Sequence, residues 1–390
     1  MPQSNRITVP LLAEILRDSH RYSPGVRRNA VASGSVGHKL VLLGREYCRD
    51  FLERAAARTR FSHRHFDPEV AAQRLGRILE LSEGLEATYA ALGDEHSRRA
   101  MLDVLKLRVL GPRHSPLRIT EEEYRVRQTH VDRALRSSHA TFEVSDPYFS
   151  PLSLYSVPVY GETVSLHSHS VDVVSVYQLH QYSYSHESHR VGAEPGDVVI
   201  DVGGCWGDTA LYFASLVGER GKVYVFEFDP ENLEILRTNL ALNPRLASRI
   251  EVVERALWNR SGETLEFVQA GRMTSLRGPG EPRGSIVKAS TLTVDEFVAE
   301  RRLSRVDFVK MDVEGAESAV IAGSRETLGR FAPRLAIAAY HRDDDLVVLP
   351  AALASSASQY SFYLDSFSPF EDETVLFAVS PRATASSKRM

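Results

Sequence analysis

The chain of 390 residues has only two cysteines, Cys48 and Cys205, so no disulfide framework organises it and a reducing cytoplasm is the expected setting. No run of 18 apolar residues occurs, which excludes an apolar membrane-spanning helix from the expectation. The opening stretch MPQSNRITVPLLAEILRDSH lacks a basic segment followed by a long apolar one, so no secretion signal is expected. Lysine is scarce beside arginine, a bias expected of a GC-rich bacterial genome. The net charge of −4 divides into a mild basic excess over residues 1–150 and an acidic excess beyond them. Basic clusters interleaved with aromatics are missing, so neither nucleic acid nor membrane is an expected partner. The stretch LHSHSVDVVSVYQLHQYSYSHESH holds five histidines but no cysteine at zinc-finger spacing. Its histidines read as solvated, with Tyr182 or Tyr184 as substrate contacts.

What is present divides into two halves. Residues 1–150 read as a mainly helical domain. GHKLVLLGREYCRDFLERAAAR and PEVAAQRLGRILELSEGLEATYAAL carry apolar residues at three- and four-residue spacing, and DEHSRRAMLDVLKLRVLG stops at Gly111-Pro112. SDPYFSPLS is a break. Residues 151–190 follow as linker and hairpin, with LYSVPVYGETVSLHSHSVDVVSVY alternating about a Gly161-Glu162 turn. Residues 191–380 alternate strand and helix. DVVIDV, KVYVFEF, RIEVVERAL, VDFVKMDV and RLAIAAYH are short and apolar throughout, as strands covered on both faces are. Asp229 is placed to cap DPENLEILRTNLALN, and Thr293 with Glu296 has capping-box spacing. SFYLDSF and ETVLFAVS read as a closing hairpin, and residues 381–390 as a disordered tail. The fold class is therefore α/β, a Rossmann-like, mostly parallel sheet preceded by helices.

The turn VVIDVGGCWGDTALYFA joins strand to helix almost without side chains. It lacks the Gly-Lys-Ser/Thr ending of a phosphate-binding loop. It also fails the G-x-G-x-x-G dinucleotide pattern, because Cys205 and Asp208 stand where glycines belong. A carboxylate at Asp201 would repel a pyrophosphate and attract a cation. S-Adenosylmethionine, with its sulfonium and ammonium, is the cofactor that fits, held by Asp201, Gly203, Gly207, Asp208 and Thr209. Glu227 ends the next strand, placed to accept both ribose hydroxyls, with Phe228 beside it. A nicotinamide oxidoreductase on the same fold and a non-catalytic cofactor-binding interaction module are the alternatives.

DVGGCWGDTALYFA, VFEFDPENLEILRTNLALN, ERALWNRSG, VDFVKMDVEGAE, LAIAAYH and ETVLFA occur in an order that resembles the FkbM-type family of class I S-adenosylmethionine-dependent methyltransferases. The resemblance covers roughly residues 195–380. It departs at Gly204-Cys205-Trp206, where an Ala-Asn-aliphatic triplet is common. It implies a seven-stranded sheet with an antiparallel strand from the last hairpin, and it places Ala256 and Leu257 beside the adenine. It also implies O-methylation of a small-molecule or glycan hydroxyl, as in natural-product or sugar modification.

Asp312, Glu314 and His341 fall at the carboxyl ends of strands, where ligands bind in such sheets. An alcohol acceptor needs its proton removed. His341 is the expected base, and Asp312 orients it, acts as base itself or keeps the sulfonium's neighbourhood negative. A magnesium-assisted variant through Asp312, His341 and Asp343 or Asp344 is open but not favoured, since histidine is a poor magnesium ligand. The loop GRMTSLRGPGEPRG offers Arg272 and Ser275 as acceptor contacts, with Glu314 a further candidate. The helical half is a candidate lid, carrier-docking site or homodimer arm.

Overall fold

The apolar segments of the second half form one sheet of seven strands: β1 (Val198–Val202), β2 (Lys222–Phe226), β3 (Ile250–Val253), β4 (Phe308–Met311), β5 (Arg334–Ala338), β6 (Ser361–Ser366) and β7 (Thr374–Val379). The computed structural model describes residues 68–111, 117–145, 150–276, 285–355 and 359–381. The helix expected over GHKLVLLGREYCRDFLERAAAR, the second part of the GRMTSLRGPGEPRG loop and all but the first residue of the expected tail lie outside the described residues.

The sheet order is β6-β7-β5-β4-β1-β2-β3. Strands β1 to β5 run parallel, and β7 is antiparallel to both β5 and β6. This is the Rossmann-like α/β sheet with a closing antiparallel hairpin read from the sequence. Every residue of β4 and β5 is buried, because helices cover both faces. Register then fixes the site. Val202 pairs with Met311 on one side and with Phe226 on the other, so Gly203, Asp312 and Glu227 leave the sheet at one level.

Local signals hold the connecting helices. Asp229 accepts hydrogen bonds from the N–H groups of Glu231 and Asn232 at the start of helix Pro230–Leu242. Thr293 caps Val294–Glu300 by accepting from the Glu296 N–H at 3.1 Å. The helices Pro68–Glu80, Ser82–Ala91 and Glu95–Leu110 put Leu75, Leu85 and Leu105 into one core with Ile200, Leu335 and Leu376 of the sheet. On the opposite face, Tyr155 and Val164 of a hairpin pack with Phe213, Phe308 and Phe377.

That hairpin pairs Leu152–Val159 with Glu162–Ser168. The alternation expected to continue through Tyr177 does not. Residues 170–178 are helical, because the His169 side chain accepts from the Val171 N–H and turns the chain after Ser168. Val173, Val174 and Val176 are buried there all the same. A four-stranded sheet made of Ala256–Leu257, Thr264–Val268, Ser275–Leu276 and Ile286–Leu292 stands beside the main one. Among the described residues no helix is long and apolar enough to cross a membrane.

Candidate active site

The glycine turn after β1 is shaped first by its neighbours. Gly203 has φ +84°, and a Cβ there would stand 1.9 Å from the Asp312 carbonyl oxygen. A Cβ at Gly204 would meet Val225 at 2.1 Å. The turn is therefore bare partly so that β1 can close on β4 and β2. Cys205 occupies the left-handed region at φ +42° without being glycine. Burial pushes its thiol well up, so it is no reactive thiolate.

Asp201 is fully buried. It accepts from Thr209 Oγ1 at 2.7 Å and faces Lys310 Nζ at 3.4 Å. Neither Asp201 nor Gly207 lies on the cavity wall. The expectation that Asp201 meets a cationic ligand directly is thus corrected: its charge is answered from inside by Lys310. That lysine also donates to the Gly203 carbonyl at 2.6 Å and lies over the Tyr182 ring. Burial alone would lower the Lys310 pKa, but Asp201, Asp312 and Asp208 together raise it, so it stays charged. The sequence reading missed Lys310. Its signal was a lysine inside the apolar run VDFVKMDV, where a charge survives only if paired.

A cavity of about 360 Å³ opens at the carboxyl ends of the strands. Gly203, Asp208, Thr209 and Glu227 line it, and Phe228, Ala256, Leu257 and Asp312 complete the wall expected for a cofactor. Glu227 Oε1 accepts from the Phe228 and Asp229 N–H groups at 2.7 and 2.8 Å, while burial pushes its pKa up to about 7. Asp208 is raised as well, by burial and by Asp172. Phe228 packs on Phe267 with centroids 4.3 Å apart. Trp206 donates to Asn232, and Asn232 donates to the Gly271 carbonyl, each at 3.1 Å, which ties the turn to the far wall.

The expected acceptor contacts divide. Arg272 is on the wall, paired with Asp172 at 2.7 Å. Ser275 is not; it pairs with Val268 in the small sheet, and Met273 and Thr274 face the cavity instead. Tyr182 is on the wall but buried, donating to Asp312 Oδ2 at 2.7 Å.

Asp312 and His341 do come together. His341 Nδ1 donates to Glu317 Oε1 at 2.9 Å, and Nε2 stands 3.4 Å from Asp312 Oδ1 and 3.7 Å from Glu314 Oε2. Burial favours the neutral ring, but the Glu317 hydrogen bond and the charges of Asp312, Glu317 and Glu314 outweigh it and push the pKa up to about 10. This corrects the expectation of a free base at His341: at neutral pH the ring already carries its proton. Burial would raise Asp312, but Lys310, His341 and the Tyr182 hydroxyl hold it below the ordinary carboxylate value. Burial raises Glu314 to about 7, and its φ of +51° is a left-handed backbone that aims it at the cavity. Asp343, the third ligand of the magnesium alternative that the sequence did not favour, is not on the wall; its carbonyl accepts from Arg108, and Glu317 stands beside His341 instead. Glu317 went unseen because its partner histidine lies beyond the end of the next strand, 24 residues on.

Sheet order, antiparallel closing strand and a ligand cavity at the strand ends define the class I methyltransferase form of the Rossmann-like fold. The crystal structure of the methyltransferase FkbM from Methylobacillus flagellatus KT superposes with TM-score 0.50 over 85% of this chain and 72% of that one, at 18% identity, which establishes the common fold. The chain matches the methyltransferase FkbM domain over residues 190–362. It is 29% identical over 154 residues to the 2-O-methyltransferase NoeI of Sinorhizobium fredii (strain NBRC 101917 / NGR234), covering 35% of this chain and 60% of that protein. It is 35% identical over 69 residues to the ubiquinone/menaquinone biosynthesis C-methyltransferase UbiE of Shewanella sp. (strain W3-18-1), covering 18% of this chain and 27% of that protein. The chain thus spans less than two thirds of each of these curated relatives.

Proposed function

We propose that the protein is an S-adenosylmethionine-dependent O-methyltransferase acting on a hydroxyl of a small molecule or glycan. The observation that carries this reading is the acidic cavity, in which Asp208 and Glu227 flank the turn and Asp312, Glu314 and His341 gather opposite. Carboxylates without a phosphate-binding loop favour a cationic ligand over a pyrophosphate, which disfavours a nicotinamide cofactor. The 2-O-methyltransferase relative supports oxygen as the acceptor atom.

Asp208, Thr209 and the Gly203 backbone would hold the cofactor's amino-acid end, Glu227 its ribose hydroxyls, and Phe228, Ala256 and Leu257 its base. When bound, S-adenosylmethionine supplies a methyl group on a positive sulfur that keeps the electron pair of the broken carbon–sulfur bond. The protein's own part is to place the acceptor hydroxyl and take its proton. Protonated His341 holds Asp312 and Glu314 around one point of the cavity. Glu314, with a side chain 28% exposed against 19% for Asp312, is the more open carboxylate there and accepts the hydroxyl proton as the carbon–oxygen bond forms. Alignment of acceptor and methyl supplies much of the rest.

Calorimetry with S-adenosylmethionine, S-adenosylhomocysteine and NAD tests the cofactor: the first two bind and NAD does not. Tritium transfer from labelled cofactor to a panel of polyhydroxylated acceptors tests the reaction. Glu314→Gln lowers kcat by about 10²-fold or more with S-adenosylhomocysteine affinity unchanged. NAD binding in place of the methyl donor overturns the reading.

A further inference from the structure

We propose that the ion pair Asp172–Arg272 receives the amino-acid end of the methyl donor, so that a segment ahead of the matched methyltransferase domain completes the cofactor site. Asp172 lies in the helical stretch 170–178, before residues 190–362. The inference rests on the reading of this cavity as a methyl-donor site, and it concerns the part of the donor that acids alone cannot hold. That end of S-adenosylmethionine carries an α-carboxylate beside its α-ammonium. Asp208 favours the ammonium and repels the carboxylate, so a cation is needed there. Among the described residues, the cations on the cavity wall are Arg255, Arg272, Lys310 and protonated His341. Lys310 is enclosed between Asp201 and the Gly203 carbonyl, and His341 is held by Glu317, Asp312 and Glu314. Arg255 donates to Ser290 Oγ at 3.0 Å and adjoins Ala256, at the end of the cavity assigned to the base. Arg272 remains, its side chain 23% exposed and that of Asp172 13%.

Hydrogen bonds hold the pair at the glycine turn. The chain Trp206–Asn232–Gly271 anchors the residue before Arg272, and Thr274 Oγ1 donates to Asp229 Oδ2 at 3.0 Å just after it. The Tyr177 hydroxyl donates to the Asp208 carbonyl at 2.8 Å, which fixes residues 170–178 against the start of helix Asp208–Val217. Charge reports the same proximity. Burial raises the Cys205 thiol, Asp208, Glu227 and Asp172 add to the rise, and Arg272 opposes it. Arg272 Nη1 bonds Asp172 Oδ1 at 2.7 Å, while Asp172 Oδ2 meets Ser168 Oγ only at 3.5 Å. The planar fork of a guanidinium can serve two carboxylates at once. Arg272 therefore takes the donor's carboxylate, and Asp172 with Asp208 takes its ammonium, so that each charge of the zwitterion meets its opposite.

The test is calorimetry on the full chain with three ligands, and it reads binding without activity. S-Adenosylhomocysteine carries both charges, S-adenosyl-3-thiopropylamine keeps the ammonium without the carboxylate, and methylthioadenosine lacks both. The wild type binds S-adenosylhomocysteine about 10-fold or more tightly than either of the others. Arg272→Met weakens S-adenosylhomocysteine about 10–100-fold and leaves the other two no weaker. Asp172→Asn weakens both amine-bearing ligands and leaves methylthioadenosine unchanged. A wild type that does not distinguish S-adenosylhomocysteine from the thiopropylamine overturns the proposal, even where neither variant folds. So does Arg272→Met binding S-adenosylhomocysteine as the wild type does, the mark of an arginine that serves the acceptor. Equal weakening of all three ligands overturns it too, because the pair then only braces the wall. Should S-adenosylhomocysteine bind regardless of Arg272, this inference alone falls; should none of the three bind the wild type, the methyl-donor reading falls with it.

Discussion

Lys310 shows how one residue can govern a site it does not advertise. It sits in the interior of β4, 2% exposed, with its ammonium between Asp201 and the Gly203 carbonyl. Replacing it with methionine keeps the apolar stem but leaves the Asp201 carboxylate buried beside no positive charge. Lys310→Met is expected to cost about 3–5 kcal/mol, read as a fall in the urea midpoint, because breaking one side of a buried pair is far worse than removing both. Asp201→Asn in the same chain restores most of that loss, since the amide still accepts from Thr209. The sequence showed Asp201 at a strand end beside glycines, and that much was right. It could not show the partner, because Lys310 becomes a neighbour of Asp201 only when β4 pairs with β1. The same limit applies to His341: its position after β5 was legible, but the three carboxylates that hold it protonated come together only in the fold.

Among elements, the helical segments tell a similar story. PEVAAQRLGRILELSEGLEATYAAL reads as one amphipathic stretch, and the structure divides it at Leu81 into Pro68–Glu80 and Ser82–Ala91. Gly84 lies in the second helix, where propensity alone says that alanine would gain about 1 kcal/mol. Packing reverses that sign. A Cβ at Gly84 would stand 2.2 Å from Val347 Cγ1, on the helix Asp345–Ala354 that crosses it. Gly84→Ala is therefore expected to destabilise by about 1–3 kcal/mol, as overpacking does, with a lowered thermal midpoint as the check. Caps were easier to read than kinks. Asp229 and Thr293 act on N–H groups two or three residues away, so their geometry is local. The helical turn at 170–178 was misread because its valines alternate as a strand would, and only the hairpin's end at Ser168 fixes its conformation.

At the scale of the whole molecule, the fold collects acidic groups in one cavity and raises the pKa values of Glu227, Asp208 and Glu314, while Asp312 is held low. Glu227 is lifted to about 7 by burial, Asp208 is raised by burial and by Asp172, and burial lifts Glu314 to about 7. In the unfolded chain such carboxyls titrate near 4. Between about 4 and 7 the folded state therefore holds more protons than the unfolded one, and stability falls as pH rises through that window. The thermal midpoint of the free protein is expected to drop between pH 5.5 and 8. Glu227→Gln flattens that slope. A cationic ligand favours the ionised cavity, so the stabilisation given by S-adenosylmethionine grows over the same range, as differential scanning calorimetry in matched buffers would show.

The sequence by itself determined what depends on near neighbours: apolar strands buried on both faces, helix caps, the bare turn, and the strand ends that carry Asp312, Glu227 and His341. Only the tertiary structure decided which charges answer each other. It gave Asp201 to Lys310, turned Glu317 onto His341, moved Ser275 away from the cavity and bound residues 68–110 to the sheet through one core. The reason is physical. Hydrogen-bond capping acts over a few residues of chain, whereas ion pairing and desolvation act through space, between strands whose order no local pattern records.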